Sequence, residues 1–221
     1  MSHSSIKTIH CPGCKKPAEV TMWESINAGL DPELKAQVLD GSLFAFTCPS
    51  CGIKESLAYP SLYHDPEQRF MAWWMPSNDE KQQQAYLEDL NKAELGLPDY
   101  RLRLVPNLNC LKEKILIFDN GLDDRVIELI KMAAWTQLKE ENIPIDKIYF
   151  DGADTEKEHP EILLLAFTEK GESRMIKLGG KEWYAHTAEV LHQKLNVPGQ
   201  EKTKWRIIDH TYWELVEKGG G

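Results

Sequence analysis

The chain has 221 residues, of which 42% are hydrophobic and 28% are charged. This is the composition of an ordinary globular protein, long enough for one large core or two modest ones, and it excludes the fibrous and disordered classes. The formal net charge of −9 opposes strong non-specific binding to a phosphate backbone.

The composition and the first residues together predict a water-soluble, cytoplasmic protein. No apolar run approaches the roughly 20 residues that a membrane-spanning helix needs. The first residues, Met1 to Lys7, lack the basic start and long apolar stretch of a secretory signal. In a reducing compartment, paired cysteines are more often metal ligands or redox groups than structural disulfides.

The first third of the chain contains the same small pattern twice, a β-type run, a Cys-Pro-x-Cys motif and a second β-type run. The motifs are Cys11-Pro12-Gly13-Cys14 and Cys48-Pro49-Ser50-Cys51. The flanking runs cover residues 6–10, 18–23, 43–47 and 53–59. The pattern predicts two hairpins, each with a cysteine knuckle at its turn.

Between the knuckles, Asp31 as N-cap, Pro32 in the first turn and Gly41 as a stop predict a short helix. After them, residues 63–67 predict a turn, and residues 69–75 predict a strand that extends the same sheet and ends at Pro76. Trp73 and Trp74 are neighbours on that strand and must point to opposite faces. An exposed tryptophan there would mark a contact surface.

Polar residues 77–96 predict a surface helix or linker with Tyr86, Leu87 and Leu90 on one face. Further helices are predicted at 107–118, from Asp123 to Pro144, at 181–195 and near 217, and strands at 147–150, 162–168, 173–178 and 205–209. The fold class is therefore α+β. We predict a zinc-ribbon-like β domain at 1–78, a helical linker at 79–105, an α+β domain at 106–217 and a glycine tail at 218–221.

The four paired cysteines predict one structural zinc ion, held by Cys11, Cys14, Cys48 and Cys51. Four thiolates can close a tetrahedron around Zn²⁺ at about 2.3 Å each, and the two-residue gap lets both sulfurs of a pair face one ion. Gly52 suits the positive-φ corner that often follows such a knuckle, whereas Lys15 occupies the equivalent place in the first motif.

The cysteine motifs also have two alternative interpretations, a redox dithiol and a catalytic zinc site. Cys-Pro-x-Cys also resembles the active dithiol of glutaredoxins, whose first cysteine begins a helix. Pro17 and the β-type run after Cys14 argue against that context. A catalytic zinc is disfavoured because four cysteines leave no coordination position open for water. Cys110 lies in a predicted helix and is expected to be a small buried hydrophobe.

Several polar residues have both a functional and a structural interpretation. His10 adjoins Cys11 and could ligate the metal, but a strand position beside the knuckle is favoured. His64 with Asp65 resembles an acid/base pair, although Asp-Pro turns use the carboxylate to cap backbone groups. His159 is a further candidate metal ligand. Asp123 and Asp124, next to Arg125, are expected to cap a helix, and together with His186 they are weak candidates for a catalytic site.

The two motifs at this spacing, followed by Leu62-Tyr63-His64-Asp65-Pro66 and Arg69-Phe70-Met71, resemble the CpXC-domain proteins of bacteria and archaea. The segment from Gly121 to Glu128 is similar to one in longer members. The resemblance covers about residues 6–130. It implies a zinc-binding domain carried by Cys11, Cys14, Cys48 and Cys51, and it brings no established activity.

The sequence leads to a non-enzymatic zinc-binding protein that acts as an interaction module for another protein. No phosphate-binding loop, nucleophile elbow or metalloprotease motif occurs in the chain. A nucleic-acid or transcription-associated zinc ribbon, using Lys15, Lys16, Arg101 and Arg103, is the first alternative, although the net charge disfavours it. A dithiol redox protein, or an enzyme with its site in the C-terminal half, is the second.

Overall fold

The computed structural model describes residues 1–93, 95–97, 99–154, 161–179, 181–194 and 204–213. Helices and strands both contribute, so the predicted α+β class is confirmed. The chain forms two compact units, Met1–Lys112 with Lys202–Arg206 and Glu113–Glu201 with Ile207–Gly221. The predicted domain bounds stay predictions. None of the described helices is long and apolar enough to cross a membrane.

The first unit is built on a six-stranded sheet. Its strands and helices, with a 3-10 turn at Ser42–Phe44, are β1 His3–His10, β2 Pro17–Asn27, α1 Pro32–Asp40, β3 Ala45–Thr47, β4 Lys54–Ser56, β5 Ser61–Asp65, β6 Phe70–Trp74, α2 Glu80–Lys92, β7 Arg101–Val105 and β11 Trp205–Arg206. The sheet order is β1-β2-β5-β6-β7-β11, and β3 and β4 pair with each other in a separate hairpin. Pairing is antiparallel for β1 with β2 and β5 with β6, and parallel elsewhere in the sheet.

An aromatic core covers one face of this sheet. Trp74 is 2% exposed, and its ring lies 4.7 Å from that of Phe44, in an edge-on contact, and 6.0 Å from that of Tyr59. Its neighbour Trp73 is half-buried on the opposite face. The predicted opposition of the two tryptophans is therefore confirmed, as the period of a strand requires.

Helix α1 begins at Pro32 and ends at Gly41, as predicted, and Gly41 adopts a left-handed φ of 87°. Asp31 is the N-cap residue as predicted, but its side chain makes no capping hydrogen bond. The Asp31 carboxylate instead accepts a hydrogen bond from the backbone N–H of Ser2, at 3.2 Å. This contact ties the start of the chain to the first turn of the helix.

The second unit combines helices with a three-stranded antiparallel sheet in the order β10-β9-β8. Its elements are α3 Leu108–Asp119, within which the two units divide, α4 Asp124–Glu140, β8 Lys147–Asp154, β9 Glu161–Phe167, β10 Ser173–Gly179 and α5 Lys181–Lys194. Most apolar residues of α4 at helical spacing are buried, among them Ile127, Ile130 and Ala134, whereas Ala133 is exposed. The predicted helix near 217 lies outside the described residues.

Three predicted segments differ in part from the structure. Residues 63–65 belong to β5, with Ser61, Tyr63 and Asp65 alternating into the core, and the turn covers residues 66–69. Arg101–Val105 is strand β7, paired with β6, and is not part of a helical linker. The predicted strand 205–209 shortens to β11 and joins the sheet of the first unit, beside β7.

Candidate metal centre

The two cysteine knuckles are built by the same hydrogen bonds. In each, the first cysteine donates its N–H to a carbonyl five residues on and accepts at its own carbonyl from an N–H four residues on. The four bonds, each 2.9 Å long, are Cys11 N to Lys16 O, Lys15 N to Cys11 O, Cys48 N to Ile53 O and Gly52 N to Cys48 O. The predicted pair of knuckle hairpins is therefore confirmed, with β1 and β2 flanking one and β3 and β4 the other.

The fourth residue after each first cysteine turns the chain through the left-handed region. Gly52 has a φ of 74°, and Lys15 has a φ of 60° at the equivalent place. Glycine adopts this conformation without steric cost, whereas a residue with a Cβ is disfavoured there. The two knuckles therefore have the same shape although only the second carries the favourable residue.

The four thiols converge on one point, with every sulfur within 4.8 Å of the others. The Sγ of Cys11 lies 3.7 Å from that of Cys51, and the Sγ of Cys14 lies 3.7 Å from that of Cys48. When four sulfurs surround a zinc ion as a tetrahedron, each about 2.3 Å from the metal, neighbouring sulfurs lie about 3.8 Å apart. The donor set and its spacing therefore fit a metal ion held by one pair of thiols from each knuckle.

The thiols lie against a small apolar cluster. Cys11 and Cys48 are buried with Ala18 and Phe46, and Ile9, Val20, Ile53 and Leu57 pack around them. Cys14 is half-buried and Cys51 is exposed. Because this cluster is small, the hairpins depend on the thiol centre for much of their cohesion.

In the second knuckle, the pKa values of the two thiols are shifted in opposite directions. Burial opposes ionisation of Cys48, but hydrogen bonds from the backbone N–H groups of Cys51 and Ser50, the latter 3.4 Å away, and from neighbouring thiols lower the pKa of Cys48 to about 6. The backbone of Ile53 favours the Cys51 thiolate, yet burial and competition from the other thiols raise the pKa of Cys51 to about 11. The Cys48 thiolate is therefore favoured near neutral pH, whereas the Cys51 thiol stays protonated there.

The histidine candidates do not join the thiols. His10 is exposed, and the group of converging ligand atoms does not include it. The Nε2 of His64 lies 3.1 Å from the hydroxyl of Tyr100, and burial lowers the pKa of His64. His186 is exposed, and His159 lies outside the described residues. These positions favour structural or surface roles.

Asp65 has the structural role that the Asp-Pro turn predicts. Its Oδ1 accepts from the backbone N–H of Gln68 at 3.1 Å, and its Oδ2 lies 3.0 Å from the ammonium of Lys35. Cys110 lies in helix α3 as predicted, but it is half-buried where a buried position was expected. It belongs to no metal-ligand group among the described residues.

Both aspartates lie at the start of α4 as expected, but their side chains make different contacts. Asp123 caps the helix by accepting from the N–H of Arg125 at 2.9 Å. Asp124 is fully buried, and its Oδ2 lies 3.2 Å from the ammonium of Lys114. Its charge therefore balances a buried lysine.

That pair belongs to a buried ionic network which the sequence analysis missed. Glu113, Lys114, Asp124, Glu128 and Lys131 are all at most 5% exposed. Lys131 donates to Glu113 at 2.8 Å and to Glu128 at 2.9 Å, and the Glu113 carboxylate also accepts from the backbone N–H of Phe150 at 2.7 Å. Asp124, Glu128 and Lys131 recur at helical spacing on α4, which is the signal that could have indicated one shared face.

The four basic residues that were candidates for binding nucleic acid differ in their exposure and contacts. Lys15 and Lys16 are exposed beside the first knuckle. Arg103 is buried at 7% exposure, and Arg101 donates to the carbonyl of Gln68 at 2.8 Å. Arg103 is therefore withdrawn from the surface, whereas Arg101 is only partly buried.

Comparison with known proteins assigns the cysteine centre to a recognised pattern. A family model described as CpXC protein matches residues 9–131, more than half of the chain. This match contains both knuckles and the first turns of α4, and it confirms the resemblance drawn from the sequence. No curated protein and no solved structure matches the chain.

Proposed function

Because the chain belongs to the CpXC family, we propose that it is a non-enzymatic zinc-binding protein that docks another protein. The observation that carries the proposal is the tetrahedral set of four thiols from Cys11, Cys14, Cys48 and Cys51. A four-thiolate zinc site has no open coordination position, so its role is structural. Bound zinc would contribute folding free energy, on the order of 10 kcal/mol in comparable modules.

Bound zinc would stabilise the hairpin of β1 and β2 at its turn, where the first knuckle lies. Strand β1 leads directly into Cys11 and pairs with β2 over its whole length. On its other side β1 is the edge of the six-stranded sheet in the part of the chain that is described. Six of its eight residues are exposed, and the side chain of Ile6 is 69% exposed. A long, exposed edge strand is a ready template for another strand.

The register identifies which backbone groups face outward. The hydrogen bond from Cys11 N to Lys16 O marks an antiparallel hydrogen-bonded pair, and such pairs alternate along the ladder. The pairs of Thr8 with Glu19 and of Ile6 with Thr21 are then the non-bonded ones. Their N–H and C=O groups on β1 point away from β2, where an extended segment of a partner protein can bind them.

The test is selection of linear peptides from a displayed library by the zinc-loaded protein, followed by titration against edge variants. Thr8→Pro removes an outward donor, and Thr8→Val is its matched control because it keeps the donor and the β-branched side chain. We expect selected peptides to bind the wild type and Thr8→Val alike and at least tenfold more weakly to Thr8→Pro. Equal binding to all three would exclude the edge as the docking surface, and turnover of a substrate by the purified protein would exclude a purely binding role.

A further inference from the structure

An apolar groove lies in the first unit between α2 and the sheet. It has a volume of about 540 Å³. The sheet side contributes one wall, with Met71, Trp73 and Trp205, and the last turns of α2 with the following segment contribute the other, with Tyr86, Asp89 and Ala93. Pockets for small molecules are typically about 300–1,000 Å³ and mostly apolar. The groove matches both properties.

The groove stays open because α2 is fastened at the far edge of the sheet. The side chain of Asn91 makes two hydrogen bonds to the backbone of Trp205. Its Oδ1 accepts from the Trp205 N–H at 2.8 Å, and its Nδ2 donates to the Trp205 C=O at 3.1 Å. The helix is thus held at β11, two strands beyond β6 in the sheet. Leu62 and Trp73, paired across β5 and β6, are left half-buried. Leu95 is 42% exposed.

The walls suit a molecule with an apolar body and a cationic end. Trp73, Tyr86 and Trp205 supply three aromatic rings, whose faces attract cations. Met71 and Met75 are flexible and polarisable, so the wall can adapt to different apolar shapes. Such a lining does not discriminate finely between hydrocarbon shapes, and selectivity must come from charge.

The groove has one acidic side chain in its wall. Asp89 is the sole acidic or basic residue among the described lining residues. It lies in the last turn of α2 (Glu80–Lys92), where the helix dipole is also negative. The Asp89 carboxylate pairs with Lys92 at 2.6 Å, but both side chains are at least 69% exposed. Exposed pairs of this kind are weak, so a ligand cation can replace Lys92.

We infer that the groove between α2 and the sheet binds a small cationic amphiphile, an alkyl chain or fused apolar body that ends in an ammonium group. This site is separate from the cysteine centre and does not depend on the proposed docking of a protein along β1. The inference rests on the volume of the groove, its aromatic and methionine lining, and its one carboxylate.

The experiment is calorimetric titration of the full zinc-loaded chain with decyltrimethylammonium, decanol and decyl sulfate, all as monomers in solution. We expect decyltrimethylammonium to bind most tightly and decyl sulfate least tightly. Each methylene added to the cationic probe should tighten binding by about fourfold. Asp89→Asn should weaken the cationic probe by about threefold to fivefold and leave decanol unchanged, whereas Lys92→Gln should strengthen the cationic probe.

A blocking variant locates the site. Ala93→Trp places a large ring in the groove and should abolish binding of all three probes, while Ala85→Trp, exposed on α2 and outside the groove, should leave binding unchanged. Three results would overturn the inference: decyl sulfate binding as tightly as the cation, binding that survives Ala93→Trp, or a dimer of the free protein that Ala93→Trp dissociates. The last result would mean that a second copy of the chain fills the groove.

Discussion

Replacing Lys131 by methionine should destabilise the second unit by about 3–5 kcal/mol, the cost of breaking a buried ion pair by removing one partner. Lys131 donates to Glu113 at 2.8 Å and to Glu128 at 2.9 Å, inside a network with at most 5% exposure. Methionine keeps most of the apolar stem, so the variant removes the charge more than the packing.

The charges of the network explain why the loss is large. Three carboxylates, Glu113, Asp124 and Glu128, face two ammonium groups, Lys114 and Lys131. Without Lys131, Lys114 alone remains among three acids. Burial opposes the charged forms of both lysines, but their acidic neighbours outweigh it and raise the pKa of each. Both lysines are therefore ionised across the accessible pH range, and the charge that the variant removes is a full one.

The assay is urea unfolding at pH 7, followed by circular dichroism. Lys177→Met is the matched control, since Lys177 is 58% exposed in the same unit and lies 4.0 Å from Glu161, and it should change the free energy of unfolding by less than about 0.5 kcal/mol. Adding Glu128→Gln to Lys131→Met should recover part of the loss, because it restores the charge difference of the wild type. A loss below about 1 kcal/mol for Lys131→Met would refute the buried network.

Three further predictions concern single residues. Burial outweighs the attraction of Lys131 and raises the pKa of Glu128, so its stabilising contribution is complete below pH 4.5 and declines as the pH rises through the raised value. The free energy of unfolding of wild type relative to Glu128→Gln should fall over that interval, and a constant difference would contradict the shift. Trp74→Ala should cost about 3–5 kcal/mol in thermal or urea unfolding, whereas an equal cost for the half-buried Trp73→Ala would show that the core is misassigned. Gly52→Ala should destabilise the zinc-loaded knuckles by about 1–2 kcal/mol and Lys15→Gly should stabilise them by a similar amount, and the same sign for both would contradict their equivalent positive φ.

The parts of the fold that the sequence predicted correctly are those specified by neighbouring residues. The Cys-Pro-x-Cys motifs and their flanking β-type runs predicted both hairpins, and the pair Pro32 and Gly41 marked the ends of α1. Each of these elements is set by backbone preferences within a few residues. The place of each cysteine pair at the turn of its hairpin follows from the same local geometry.

The features that the sequence did not predict depend on distant residues. Strand β11 is two residues long and pairs with Leu102 and Arg103 about a hundred positions earlier in the chain. Local sequence predicted the place of Asp124 at the start of α4, but its burial beside Lys114 of another helix depends on tertiary contacts. The groove arises from where Asn91 fastens α2, a contact that no local pattern indicates.

We propose that Cys11, Cys14, Cys48 and Cys51 together hold one zinc ion. The most direct measurement is elemental mass spectrometry of the untagged protein beside Cys48→Ser, with Cys110→Ser as the control cysteine outside the centre. We expect one zinc per chain in the wild type and in Cys110→Ser, and loss of zinc together with thermal stability in Cys48→Ser. A metal-free wild type whose thiols react near neutral pH would contradict the account and favour a dithiol redox protein.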